Sequence, residues 1–261
     1  MHVSLLDVYQ SRQAWIHRLD PRVKILTTLF FVLTAVTLPE GAWVSYILLF
    51  VFVVLVAWVA RLGPAFPLRR SLVALPFMLA ALPLPFLVPG EVILRLPGLG
   101  WTISDAGLMR FVTILLRTWI AVQAGVLLSA TTTVPDILWG LSKLKVPRVI
   151  VSTVGFMVRY LFVVADEALR ITRARSSRSP RLPGAKPPGV FWQGRTAGMM
   201  VGSLFLRSLE RSERVFAAML ARGYDGEQRM LETSSMKTLD WAALLTSILT
   251  LSGIFTLGIW G

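Results

Sequence analysis

Residues 42–60 read AWVSYILLFVFVVLVAWVA, a stretch with no charged residue. A bilayer's hydrocarbon core is crossed by about 20 apolar residues of helix. A helix apolar on every face belongs either in a large protein core or in lipid. The surroundings of this stretch favour lipid. The 261-residue chain is 55% hydrophobic and 16% charged, with a mean hydropathy of +0.67. Soluble domains run at about 45–50% apolar and about 25% charged. The length alone would suit one or two soluble domains. The composition excludes a soluble enzyme, a disordered tail and an ordinary nucleic-acid-binding module. The absence of cysteine removes disulfides, thiolate metal sites and cysteine nucleophiles. No signal peptide is expected, because no small-residue cleavage site follows the first apolar run.

Further spans flank this one. Ile25–Leu38 is short and ends at the turn Pro39-Glu40-Gly41. Leu72–Val88 carries Pro76, Pro83 and Pro85, which predict a kinked or broken helix packed against protein. Ala106–Ala130 is a fourth span, and Trp241–Trp260 closes the chain. The pattern predicts an all-α polytopic membrane protein of about five to six transmembrane helices, with Pro147–Val164 apolar enough to be partly embedded. The expected organisation is a cytoplasmic tail at 1–24, a four-span region at 25–131, a large cytoplasmic insert at 132–238 and a last span at 239–261.

Charge sets the orientation. The chain carries a net +13. Arg12, Arg18, Arg22 and Lys24 lie in the tail, and Arg61, Arg69 and Arg70 between the second and third spans. The turn at 39–41 has no basic residue and 89–105 has only Arg95. Residues 132–238 hold 17 of the 27 basic residues and 8 of the 14 acidic ones. The N-terminus is therefore expected in the cytoplasm. Arg117 stands near the middle of the fourth span, where a charge is costly. It either meets a partner subunit or lines a pore, or it snorkels or pairs with the carboxylate of a neighbouring helix.

The insert opens with a helix start at Thr133-Val134-Pro135-Asp136. Its apolar residues Ile137, Leu138, Leu141 and Leu144 form one face, predicted to lie along the membrane surface. A second helix opens at Pro147. Its seam of Ile150, Val154, Met157, Leu161, Val164, Ala168 and Ile171 alternates steps of four and three. A third, over 197–222, repeats the spacing at Phe205, Leu209, Ser212, Phe216 and Met219. Each seam needs an apolar partner, and the other seam is the simplest one. Prolines 180, 183, 187 and 188 permit a return between the helices, and Gly194, Ala197, Gly198 and Gly202 suit either a close crossing or a linker. The helices end in similar signatures, Ala174-Arg175-Ser176 and Ala221-Arg222-Gly223. A cation at a helix C-terminus complements the dipole by about 0.3–1 kcal/mol. The alternative is an Arg fork projecting into an acidic pocket on another protein.

Several stretches resemble a known family. They are Arg18-Leu19-Asp20-Pro21-Arg22-Val23-Lys24, then Arg159-Tyr160-Leu161-Phe162 with Asp166-Glu167 and Ala174-Arg175. The longest runs from Leu206-Arg207-Ser208-Leu209-Glu210-Arg211 through Ala221-Arg222-Gly223-Tyr224-Asp225-Gly226. The chain is similar to the transmembrane T component of energy-coupling-factor (ECF) transporters, the CbiQ/EcfT family, and closest to its cobalt/nickel branch. The resemblance implies a scaffold and energy transducer without a catalytic site or cofactor, in a bacterial or archaeal plasma membrane. It implies two ABC-type ATPase subunits as partners, docked on the tips Ala174, Arg175, Ser176 and Ala221, Arg222, Gly223. It also implies a separate membrane S subunit of cobalt type that binds the substrate. The helices carrying Met157, Leu161, Val164, Phe205, Leu209, Phe216 and Met219 become a crossed coupling pair. Ser176 departs from the residue common at that position, which puts the fine geometry of the first tip in question.

Rival functions lack their residues. No Gly-x-x-x-x-Gly-Lys-Ser/Thr is present, so ATP hydrolysis by this chain alone is excluded. His2 and His17 are the only histidines and read as surface residues, so no metal site is expected in this chain. The spans hold no paired carboxylates, histidine or activated serine for an intramembrane enzyme. The arginine run over 170–181 suits anionic lipid headgroups. It has no interleaved aromatic residues, so no nucleic acid is expected as a partner.

Overall fold

The structure is a computed structural model, and it describes residues 14–95, 102–178, 189–226 and 236–260. The described residues within Val8–Leu144 and Glu232–Gly261 form one compact unit, and those within Lys145–Leu231 form another.

In the first unit, α1 (Pro21–Thr37) starts where Asp20 caps it, its carboxylate accepting from the Arg22 N–H at 2.9 Å. Pro21 at the first position costs no hydrogen bond there. Gly41, at φ +90°, turns the chain into α2 (Trp43–Val59). On α2, Tyr46, Leu49, Val53 and Ala57 are buried, while Ile47, Val51, Leu55 and Trp58 are exposed. Both faces are apolar, so the exposed one is suited to lipid rather than water. The buried face meets Phe31 and Ala35 of α1, Ile120, Ala124 and Leu127 of α6 (Asp105–Thr131), and Leu251 of α10 (Thr238–Trp260) in one core.

The proline-rich span is broken, as its prolines predict. It runs as α3 (Ala65–Ser71), a 3-10 turn, α4 (Leu75–Leu79), further turns and α5 (Leu84–Leu87). Ser71 binds it to α6 by accepting from the Trp119 Nε1–H at 2.8 Å. A short antiparallel hairpin was not expected: β1 (Val92–Arg95) pairs with β2 (Thr102–Ser104) before α6. Ser104 then caps α6.

Among the described residues, four helical stretches are long and apolar enough to cross a membrane: Ala65–Leu87, Asp105–Thr131, Arg148–Arg178 and Thr238–Trp260. Trp43–Val59 is apolar but shorter. The surface helix α7 (Val134–Lys143) belongs to the first unit, where Leu138 and Trp139 are buried and Gly140 lies against Ile25 and Pro21 of α1. That unit's first segment runs on to Leu144. As the apolar stretch Pro147–Val164 predicts, α8 (Arg148–Arg178) is a further candidate span, and it is continuous through its apolar and basic halves.

In the second unit, α8 and α9 (Val190–Ala221) run antiparallel. Phe156 meets Tyr224, Glu167 meets Arg207, and Arg175 meets Met200.

Candidate functional site

The paired helices α8 and α9 carry the residues expected to matter. Their central tie is Glu167. It pairs with Arg170 on its own helix and accepts from Arg207 Nη1 of α9 at 2.9 Å. The Arg207 guanidinium bonded to it holds the Glu167 carboxyl below the usual carboxylate range.

The expected seam closes only in part. Met157, Val164, Phe216 and Met219 line a groove of about 720 Å³ between the helices, with Phe156, Tyr160 and Tyr224. Leu161, Phe205 and Leu209 line no part of it. Met157 is 60% exposed, Phe205 64% and Phe216 56%. Among the described residues, α9 buries none. The pair therefore leaves much apolar surface uncovered, of the kind that marks contact with another protein or with membrane.

The two tips look alike in sequence but differ in structure. The α9 tip is a closed cap. Gly223 sits at φ +78°, its N–H bonds the Leu220 carbonyl, and the Tyr224 N–H bonds the Met219 carbonyl, both at 3.0 Å. This is a Schellman motif, which a left-handed glycine terminates at little strain. Tyr224 then packs edge-on against Phe156 of α8 at 6.3 Å. Arg222 occupies the capping position, one residue past the last turn, and is exposed; Ala221 is exposed beside it. At the other tip Arg175 lies within the last turn of α8 and is half-buried. Its guanidinium lies 5.7 Å from the Trp192 ring centre, with Nη1 4.0 Å from Met200 Sδ. Ala174 faces the inter-helix space, and Ser176 Oγ donates to the Arg173 carbonyl.

Arg117 finds its partners within the chain. Its Nη2 donates to the Leu38 carbonyl at 2.6 Å and to the Tyr46 hydroxyl at 3.2 Å. Leu38 is the C-cap of α1, so the charge meets the negative end of a helix and bonds one of its free carbonyls. These partners are a carbonyl and a hydroxyl, where the sequence reading within the chain expected a carboxylate.

One constellation was missed in sequence. Asp20, Lys24 and Asp240 are all buried where the ends of α1, α6 and α10 meet. Asp240 accepts the Asp20 N–H at 3.1 Å and the Lys237 N–H at 2.9 Å. Lys24 Nζ donates to the His17 and Thr131 carbonyls at 3.2 and 3.1 Å. Nearby, the Arg22 guanidinium stacks on Trp139 of α7, 4.7 Å from the ring centre. The signal available in sequence was two carboxylates and a lysine at the margins of apolar runs, but their 220-residue separation hides the pairing. The cluster joins helix ends; among the described residues no group of three or more His, Cys, Asp or Glu side chains converges.

Known proteins support the same placement. The sequence profile of the family described as cobalt transport protein CbiQ matches residues 12–232. The chain is 25% identical to the energy-coupling factor transporter transmembrane protein EcfT of Lacticaseibacillus paracasei, over 97% of each chain. It is 27% identical to the cobalt transport protein CbiQ of Rhodobacter capsulatus, over 89% of each. An uncharacterized protein of Methanocaldococcus jannaschii is 27% identical over 93% of this chain and 82% of its own. With its apolar spans and its pair of long basic helices, the chain belongs to the CbiQ/EcfT family, the multi-pass transmembrane components of energy-coupling-factor transporters.

Proposed function

We propose that this chain is a non-catalytic energy transducer in which the α8–α9 pair links two ATPase subunits to a separate substrate-binding membrane subunit, with cobalt ion as cargo. The observation that carries this reading is the antiparallel pairing with an arginine at each far end. Met200, beside Arg175, stands about 33 Å from Arg222 along α9 at about 1.5 Å per residue. That is the diameter of a small domain, so each arginine suits a different protein molecule. The helices are continuous between these points, so a displacement at one tip is carried rather than absorbed. Arg222 is held by a rigid cap and offers its whole guanidinium to an acidic pocket. Arg175, stacked on Trp192, still offers the in-plane N–H donors of its fork. The uncovered apolar face of Leu161, Phe205 and Leu209 is suited to the substrate-binding subunit. The 132–238 region and the N-terminus lie on the cytoplasmic side in this reading, as the Lys/Arg distribution favours. Cobalt is proposed as cargo on the description of the matching family and the name of the Rhodobacter capsulatus relative.

The test is co-purification of tagged Arg175→Glu, Arg222→Glu and double variants with the ATPases, alongside cobalt(II) uptake in cells. Each single change is expected to lower ATPase recovery and uptake, and the double to abolish both. Recovery of the ATPases at parental levels by the double variant would overturn docking through these residues. Uptake of nickel in preference to cobalt would overturn the cargo.

A further inference from the structure

We propose, resting on the docking reading above, that Trp192 is a positioning residue for Arg175: its ring holds the guanidinium of the α8 tip in place and leaves the N–H donors available to an acidic group of the ATPase. The arginines near the end of α8 are held in different ways. Arg170 is bonded to Glu167. Arg173 turns back on its own helix, its Nε donating to the Leu169 carbonyl at 3.3 Å. Arg178 is exposed at the helix end. Of these four, Arg175 is the half-buried one, and among the described residues no carboxylate or carbonyl bonds it. Its neighbours are the Trp192 ring, 5.7 Å from the guanidinium carbon to the ring centre, and Met200 Sδ, 4.0 Å from Nη1, both on α9. A guanidinium within about 6 Å of an aromatic ring centre is attracted to the ring. A ring and a thioether are weak acceptors, so they orient the cation without using up its fork.

The two tips then solve one problem by different means. A long arginine side chain gives up much rotamer freedom when it docks, and fixing it beforehand removes that cost. At the α9 tip the backbone does part of this, because Gly223 closes the cap beside Arg222. The α8 tip reads Ala174-Arg175-Ser176 and has no glycine after its arginine. There a side chain of the partner helix supplies the restraint. Trp192 is also poorly placed to serve as a core residue. It is 48% exposed, and its neighbours Val190 and Phe191 are each 87% exposed. Its contact with Arg175 is therefore the interaction that a substitution at Trp192 removes first.

Titration of the partner ATPases against the purified full chain in nanodiscs tests it. Trp192→Leu is expected to weaken ATPase binding about fivefold, the scale of one exposed cation–π contact. Trp192→Phe keeps an aromatic face and is expected to recover most of that loss. In an Arg175→Gln background Trp192→Leu is expected to add nothing, because the side chain it positions is gone. In an Arg222→Gln background its full effect is expected to remain. Each variant is expected to melt with the parent, since Trp192 is half exposed. Parental binding by Trp192→Leu, with Arg175→Gln weakened, would overturn the role of Trp192 and leave docking at Arg175 standing. A further loss in the Arg175→Gln background would also overturn it, by giving Trp192 a role that does not pass through Arg175. Parental binding by Arg175→Gln itself would overturn the docking reading, and the role of Trp192 with it.

Discussion

Arg117 and Gly223 show how much a single position decides. A lone charge in a span is expensive unless it is bonded. Here the α1 C-terminus supplies a carbonyl and α2 supplies a tyrosine hydroxyl. Arg117→Met removes the donor and leaves the Leu38 carbonyl with no partner in the membrane. The expected cost is about 1–3 kcal/mol, the penalty of an unsatisfied buried polar group. It is read as a lowered melting temperature in detergent, and Arg117→Lys is expected to restore part of it. Full retention of stability by Arg117→Met would show that this contact does not hold the helix end. Gly223→Ala places a Cβ in the left-handed region, which costs an L-residue roughly 1–2 kcal/mol. No neighbour lies within 4 Å of that Cβ, so the cost is conformational rather than steric. The variant is expected to fold, to fray the last turn of α9 in hydrogen exchange, and to weaken ATPase recovery through misplacement of Arg222. Unaltered exchange at Leu220–Tyr224 would rule out the cap as the positioning device.

At the scale of elements, close approach is concentrated at glycines on the first unit's helices. A Cβ on Gly258 of α10 would collide with Leu38 of α1 and with Ser45 of α2. Ser45 Oγ also donates to the Ile254 carbonyl at 3.1 Å, so α2 and α10 are locked by contact and by a hydrogen bond. Gly258→Leu is expected to destabilise the protein by about 1–3 kcal/mol through overpacking. Gly253 provides the control, because nothing lies within 4 Å of its added Cβ. Gly253→Leu is therefore expected to melt close to the parent. Equal melting of both variants would show that the α10 contact is not tight in solution. The α8–α9 pair is built the opposite way, with few ties and exposed apolar faces. An element that must meet other proteins keeps its surface available, and its stability then depends on those contacts.

For the whole molecule, the decisive variable is which side each loop faces. The natural chain has no cysteine, so single-cysteine variants report topology without background. Gly41→Cys is expected to react with a membrane-impermeant maleimide from outside intact cells. Ser234→Cys and Ser176→Cys are expected to react only after the membrane is opened. Labelling of Ser176→Cys in intact cells would reverse the orientation and place the arginine tips away from any cytoplasmic ATPase.

The sequence by itself determined the class of the protein, its apolar spans and the broken third span, because these follow from local composition and from proline's missing N–H. It also located the two arginine signatures and the long helices that bear them, since spacing of four and three is a property of one helix. Tertiary structure alone decided how those signatures differ. One arginine is laid on Trp192 of the partner helix, a contact no spacing announces, while the other stands beside a glycine cap local to α9. It decided, too, that Arg117 bonds its own chain, that α7 packs on α1, and that the strands of 92–104 pair. The bond from Asp20 to Asp240 makes the reason plain. Periodicity describes which face of a helix is apolar. It carries no information on which distant residue will stand opposite a polar one, and that choice is made only when helix ends meet and each buried donor must find an acceptor.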